Sequence, residues 1–168
     1  KEPGLVKDAL SSAKAVGLKL GVSPLAGQCC GYPLYAAGLL KEFEAHAKRV
    51  GEAAPDPSAG PLVVGDPGCA FTFLKLYPQV GVKLPEVRLW VDEVAARLPV
   101  QPRGKTPKAL EGPEPVAYHD PCHLGRGLGR YEAPRAILQK VLGGTVPTEA
   151  PEARRDAGCS GGGGVLPR

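Results

Sequence analysis

Gln28-Cys29-Cys30-Gly31-Tyr32-Pro33 sets two thiols side by side, directly before a glycine and close to a proline. Neighbouring side chains on a strand point to opposite faces, so two adjacent cysteines serve one site only where the chain turns. Gly31 allows such a turn because it accepts positive φ, and Pro33 stiffens the way out. Two small apolar side chains in a core would read the same way, because a cysteine outside a disulfide is often simply buried. The rest of the chain bears on which reading holds.

Outward from that loop, short helical patterns alternate with shorter extended ones. Upstream, Leu5, Val6, Ala9, Leu10 and Ala13 fall at helical spacing between Lys1 and Val16, Gly17 is a natural stop, and Leu18 to Val22 reads as a strand. Downstream, Ala36 to Val50 predicts a helix that buries Leu39, Leu40, Phe43, Ala47 and Val50. His46 lies among its charged residues and is expected to be solvated. Leu62-Val63-Val64 reads as a short buried strand running into Gly65-Asp66-Pro67-Gly68-Cys69, with a helix over 70–76. Cys69 is thus expected where a strand meets a helix N-terminus, and the N–H groups and dipole there favour a thiolate. Val87 to Leu98 predicts a further helix, with Trp90 as a packing residue.

The second half follows a similar plan. Val116-Ala117-Tyr118 reads as a strand leading into His119-Asp120-Pro121-Cys122-His123-Leu124-Gly125-Arg126, then a helix over 133–142 that Gly143-Gly144 ends. A polar loop leads to Gly158-Cys159-Ser160-Gly161. Cys29-Cys30-Gly31 thereby corresponds to Cys159-Ser160-Gly161. The expected fold is α/β: two pseudo-symmetric half-domains with short, mostly parallel strands and cysteine loops at the strand ends. The expected division is residues 1–98, a Pro-rich basic connector over 99–115, and residues 116–168.

The 168 residues, 43% hydrophobic and 23% charged, describe one ordinary soluble globular protein. A formal charge of +4 with 5% aromatic residues gives no argument for nucleic acid. No apolar run approaches the ~20 residues that span a bilayer, and no signal-peptide pattern is present, so a cytoplasmic protein is expected. Met is absent, and the ends fall in helix-like sequence and just after a glycine run, so both ends read as trimmed.

Five cysteines, at 29, 30, 69, 122 and 159, would leave one over in a disulfide framework. Thiolates suit iron–sulfur clusters or zinc. A structural zinc site draws pairs at Cys-x₂₋₄-Cys spacing, which this chain lacks. One vicinal pair plus separated single thiols suits a centre of several metal atoms better. His119 and His123 flank Cys122 as ligands, donors to sulfur, proton carriers or plain loop histidines. Gly125 to Gly129 is Gly-x-Gly-x-Gly, not the dinucleotide fingerprint. Arg126, Arg130 and Arg135 either neutralise an anionic cluster or carboxylate substrate, or simply face solvent.

These motifs resemble the cysteine-rich CCG-domain proteins, which include heterodisulfide reductase subunits and the iron–sulfur subunits of lactate-utilisation and glycolate-oxidase systems. The resemblance is carried by Gln28 to Pro33 with Gly38, by Pro67-Gly68-Cys69 with Tyr77-Pro78, by Tyr118 to Arg126 with Pro134-Arg135, and by Cys159-Ser160-Gly161-Gly162-Gly163. It implies 4Fe-4S clusters, non-cubane in some members, held by Cys29, Cys30, Cys69, Cys122 and Cys159, with His119 and His123 hydrogen-bonding from behind. It implies electron transfer within a 2-hydroxy-acid-oxidising or heterodisulfide-reductase-like complex, beside other iron–sulfur or flavoprotein subunits. Two departures bear on this. Asp66 stands where the full motif has a cysteine, as in lactate-type members, and Ser160 replaces the second cysteine of the second CCG. A zinc-stabilised, non-catalytic scaffold that docks a redox partner is the alternative.

Overall fold

The computed structural model of the chain describes residues 4–99, 116–142, 148–149 and 153–156. They pack as two compact units: Gly21–Leu89 make one, and the segment before Gly21 joins Trp90 and the residues after it in the other. These units are divided by packing and change at Leu20 and Leu89, whereas residues 1–98 and 116–168 were divided by motif.

In the unit Gly21–Leu89, β1 (Leu62–Val64) pairs with β2 (Val87–Leu89) in parallel, Leu62 opposite Val87 and Val64 opposite Leu89. Parallel strands need a crossover. Here it is α4 (Pro67–Phe71), a π-helical turn (Thr72–Leu76) and a 3-10 turn (Tyr77–Val80). Ahead of the sheet lie α2 (Tyr32–Ala36) and α3 (Leu40–Glu52). Phe43, Ala47 and Val50 form the buried stripe of α3 and pack with Leu25, Leu62, Leu76, Tyr77 and Val82, whereas Leu39 and Leu40, expected in that stripe, are exposed at the helix start. The Phe43 and Phe73 rings meet the wholly buried Tyr77 edge-on, with centroids 6.0 and 5.1 Å from it. Such ring pairs add to the burial of their area and fix the Tyr77 ring in place.

The other unit contains α1 (Gly4–Ala15), α5 (Trp90–Arg97), β3 (Ala117–Tyr118), a π-helical turn (His123–Gly127), α6 (Glu132–Val141), β4 (Thr148–Glu149) and a 3-10 turn (Arg154–Asp156). β3 and β4 are parallel, Ala117 opposite Thr148 and Tyr118 opposite Glu149. Lys140 of α6 donates to the carbonyls of Ala95 and Leu98 at 3.3 and 2.7 Å, which satisfies the last turn of α5. The Trp90 indole N–H donates to the Ala9 carbonyl of α1 at 3.4 Å, so Trp90 packs as expected. The α/β class with short parallel strands is what the sequence indicates.

Four boundaries differ from expectation. Leu18 to Val22 is not a strand, because Gly17 at φ 76° and the Leu18 N–H, bonded back to Ala13 O, consume that segment in closing α1. The helix expected from Ala36 begins at Leu40, since Gly38 at φ 77° ends α2 first. Val87-Arg88-Leu89 leave the expected helix to pair with β1, and Thr148–Glu149 form β4 where a loop was expected. In both cases a partner strand, not local periodicity, decides.

Candidate functional site

The vicinal cysteines sit in a turn made by Gly31 at φ 83°. A Cβ at Gly31 would lie 2.7 Å from His46 Cδ2 and 3.3 Å from the Phe43 ring, so the position excludes any side chain. The turn separates the two thiols: Cys29 is exposed and Cys30 is buried. The Gly31 N–H donates to Cys29 Sγ at 3.4 Å. The Gly31 carbonyl accepts from the Leu34 and Tyr35 N–H groups and so opens α2.

Cys69 follows β1. Asp66 caps α4, its Oδ1 accepting the Cys69 N–H at 2.7 Å, and Pro67 occupies the first turn where no N–H is needed. The neighbouring Cys69 thiol draws Cys30 down against its burial, and the Tyr32 N–H assists. Cys69 itself is pushed up, first by the Cys30 thiol beside it, then by burial, then by the negative charges of Cys30 and Asp66. The Asp66 carboxylate takes the helix N-terminal N–H and repels negative charge on the neighbouring Cys69 sulfur. Burial raises the Tyr77 phenol, and charge on Cys30, Cys29 and Cys69 raises it further. One phenol thus senses three of the five sulfurs.

Three thiols in one unit, two of them adjacent in sequence, fit a thiolate-bound metal or cluster. Among the described residues, no three His, Cys, Asp or Glu side chains stand grouped to enclose a metal ion. Cys30 and Cys69 therefore form a two-donor corner and not a complete shell.

Cys122 belongs to the other unit, after β3. Asp120, 2% exposed, receives both Arg135 guanidinium nitrogens at 2.7 and 2.8 Å, and its Oδ2 also accepts the Arg154 N–H at 2.7 Å. Arg135 holds the Asp120 carboxyl below the usual carboxylate range despite burial. The guanidinium also donates to Tyr131 O at 2.8 Å and lies 5.1 Å above the Tyr118 ring. Burial, then the Asp120 charge, pushes the Tyr118 phenol up to about 12. Arg135 is thus the counter-ion of an internal carboxylate, neither of the two roles expected for it. Arg130 pairs with Asp92 at 3.0 Å, and Arg126 is exposed. Gly125 lies against Tyr131, whose Cε1 would be 2.7 Å from a Cβ there, so packing accounts for this glycine.

Cys29, Cys30 and Cys69 are therefore brought into one unit. Cys122 and His123 are half-buried and His119 is exposed in the other. Cys159 lies outside the described residues. His46, expected to be solvated, instead bonds the Cys29 carbonyl through Nε2 at 2.7 Å, with Arg49 3.5 Å from its Nδ1. Its position three residues after Phe43 on α3 was the available signal, because such residues share a face.

Among the described residues no helix is long and apolar enough to cross a membrane. The family model described as "Cysteine-rich domain" (CCG) matches residues 7–74 and 116–167. The chain is 30% identical over 153 residues to one subunit of the dihydromethanophenazine:CoB–CoM heterodisulfide reductase of Methanosarcina mazei, covering 89% of this chain and 37% of that protein. It is 31% identical over 142 residues to one subunit of the fumarate reductase (CoM/CoB) of Methanothermobacter marburgensis, covering 81% of this chain and 25% of that one. It is 31% identical over 131 residues to lactate utilization protein A of Oceanobacillus iheyensis, covering 71% of this chain and 50% of that one. The chain thus spans half or less of the length of these relatives. No solved structure matches it. With a cysteine loop in each matched segment, the chain belongs to the cysteine-rich CCG domain family.

Proposed function

We propose that this chain is an iron–sulfur cluster-binding, electron-transferring module of an oxidoreductase complex. The names of its relatives support a complex of lactate utilisation or of heterodisulfide reduction. The observation that carries the reading is the gathering of Cys29, Cys30 and Cys69 in one compact unit, where the Tyr77 hydroxyl, from the segment that follows Cys69, bonds the Cys30 carbonyl. Cys29, Cys30 and Cys69 would supply thiolates from one unit, and Cys122 and Cys159 are the remaining candidates. A 4Fe-4S cluster, of cubane or non-cubane form, would accept and pass single electrons. Gly31 lets the backbone come close, and Asp66 keeps its place as a helix cap and not as a ligand. His119 and His123 would hydrogen-bond around Cys122. A second iron–sulfur protein or a flavoprotein is the expected partner.

The test is reconstitution of the full-length protein with ferrous iron and sulfide, without oxygen, followed by iron and labile-sulfide analysis and EPR. Iron with matching sulfide, reduced sharply in Cys30→Ala and in Cys69→Ala, is the expected result. A colourless protein with neither would defeat the reading. About one zinc per chain and no iron would favour the zinc-stabilised scaffold.

A further inference from the structure

Two side chains hold two consecutive carbonyls of the vicinal cysteine pair. Tyr77 Oη–H donates to the Cys30 carbonyl at 3.1 Å, and His46 Nε2 bonds the Cys29 carbonyl at 2.7 Å. A trans peptide group points its C=O and its N–H in opposite directions. The N–H on the peptide that Tyr77 holds is that of Gly31, and it donates to Cys29 Sγ. The phenol and the exposed sulfur therefore lie at opposite ends of one peptide plane.

That plane needs a restraint. Glycine accepts both signs of φ, so the peptide between Cys30 and Gly31 meets little steric resistance to turning over. Turned over, it would withdraw the N–H from the Cys29 sulfur and aim a carbonyl oxygen there instead. Tyr77 resists this as a rigid post, with its ring packed against Phe43 and Phe73 and wholly buried. His46 restrains the preceding plane, and its ring closes on Gly31 so tightly that no Cβ fits between them.

We infer that Tyr77 and His46 are positioning residues for the Cys29 sulfur, acting by locking the peptide planes on either side of Cys30 so that the Gly31 N–H stays aimed at that sulfur. N–H bonds to sulfur tune thiolate metal centres, so the lock is a device for setting the electronic character of whatever Cys29 binds. That consequence rests on the metal-binding reading above; the lock itself does not.

The full-length protein carries the test, with Co²⁺ as the metal probe. Tyr77→Phe keeps the ring packing and removes only the hydroxyl. In the metal-free variant, the Gly31 amide should exchange about tenfold faster, the weight of one hydrogen bond, while amides within α3 keep their rates. In the Co²⁺-loaded variant, the sulfur-to-cobalt charge-transfer band should move to lower energy. His46→Leu should act in the same direction, and His46→Gln, whose amide N–H can reach the same carbonyl, should restore both signals. His46 lies outside the aromatic core, so this pair keeps the test open even if Tyr77→Phe unfolds. Unchanged Gly31 exchange in folded Tyr77→Phe, or in His46→Leu, overturns the lock. Faster Gly31 exchange in a protein that takes up no Co²⁺ would uphold the lock and remove the metal-binding reading.

Discussion

Asp66 and Asp120 each precede a proline at the end of a short parallel strand, and each stands just ahead of a cysteine. Their surroundings give them different work. Asp66 is exposed and spends its carboxylate on one backbone N–H, that of Cys69. Asp120 is buried and takes both arms of Arg135 and the Arg154 N–H. The cores differ accordingly. The unit with Cys29, Cys30 and Cys69 is built on interlocked aromatic rings around Tyr77. The unit with Cys122 centres on an ion pair roofed by Tyr118. The same dipeptide is a cap where the next turn needs a donor satisfied. It is a tether where a guanidinium from α6 reaches it.

Asp120→Ala should have the largest effect. It leaves Arg135 buried without its main partner, a loss of about 3–5 kcal/mol by urea unfolding. A midpoint shift no larger than that of Asp66→Ala would erase the distinction between the two aspartates. Gly31→Ala comes next. The left-handed backbone alone costs about 1–2 kcal/mol for a residue with a Cβ, and the clash with His46 adds to it. The double variant with His46→Ala should recover the added part, which a double-mutant cycle on the unfolding midpoints would show.

Acid should expose the tether next. Arg135 depresses the folded-state carboxyl of Asp120, so its stabilisation is whole above the unfolded value of about 4 and drains away as pH falls below it. Asp120→Asn, though less stable at neutral pH, should lose less further stability between pH 5 and pH 2 than the parent. An equally steep acid limb in both proteins would contradict this. Asp66→Ala should have the smallest effect, about 1 kcal/mol from one lost cap. If it also slowed metal uptake severalfold, Asp66 would be more than a cap.

Much of this was legible beforehand because it depends on local pattern. The stripe Phe43, Ala47, Val50 named α3, and the run into Cys69 named a passage from strand to helix, although α4 starts at Pro67 and not at Ala70. The strand at Leu62–Val64 read correctly because a short apolar run bounded by Pro and Gly leaves little else. Val87–Leu89 misled because three such residues fit either period until β1 lies alongside. Among candidate site residues, Cys29, Cys30 and Cys69 are named by residue type alone. His46 was not, because its charged neighbours on α3 hide that its ring turns toward Gly31.

The sequence by itself determined the chemistry available and where the backbone may turn: thiols at five positions, a glycine that can take positive φ beside two of them, and prolines that open helices. Those properties belong to single residues and their neighbours. Only the tertiary structure decided that Tyr77 meets the Cys30 carbonyl, that His46 meets the Cys29 carbonyl, and that Arg135 serves Asp120. Each of these is an interaction over a few ångströms between groups distant along the chain, and its sign depends on burial and on which partner arrives.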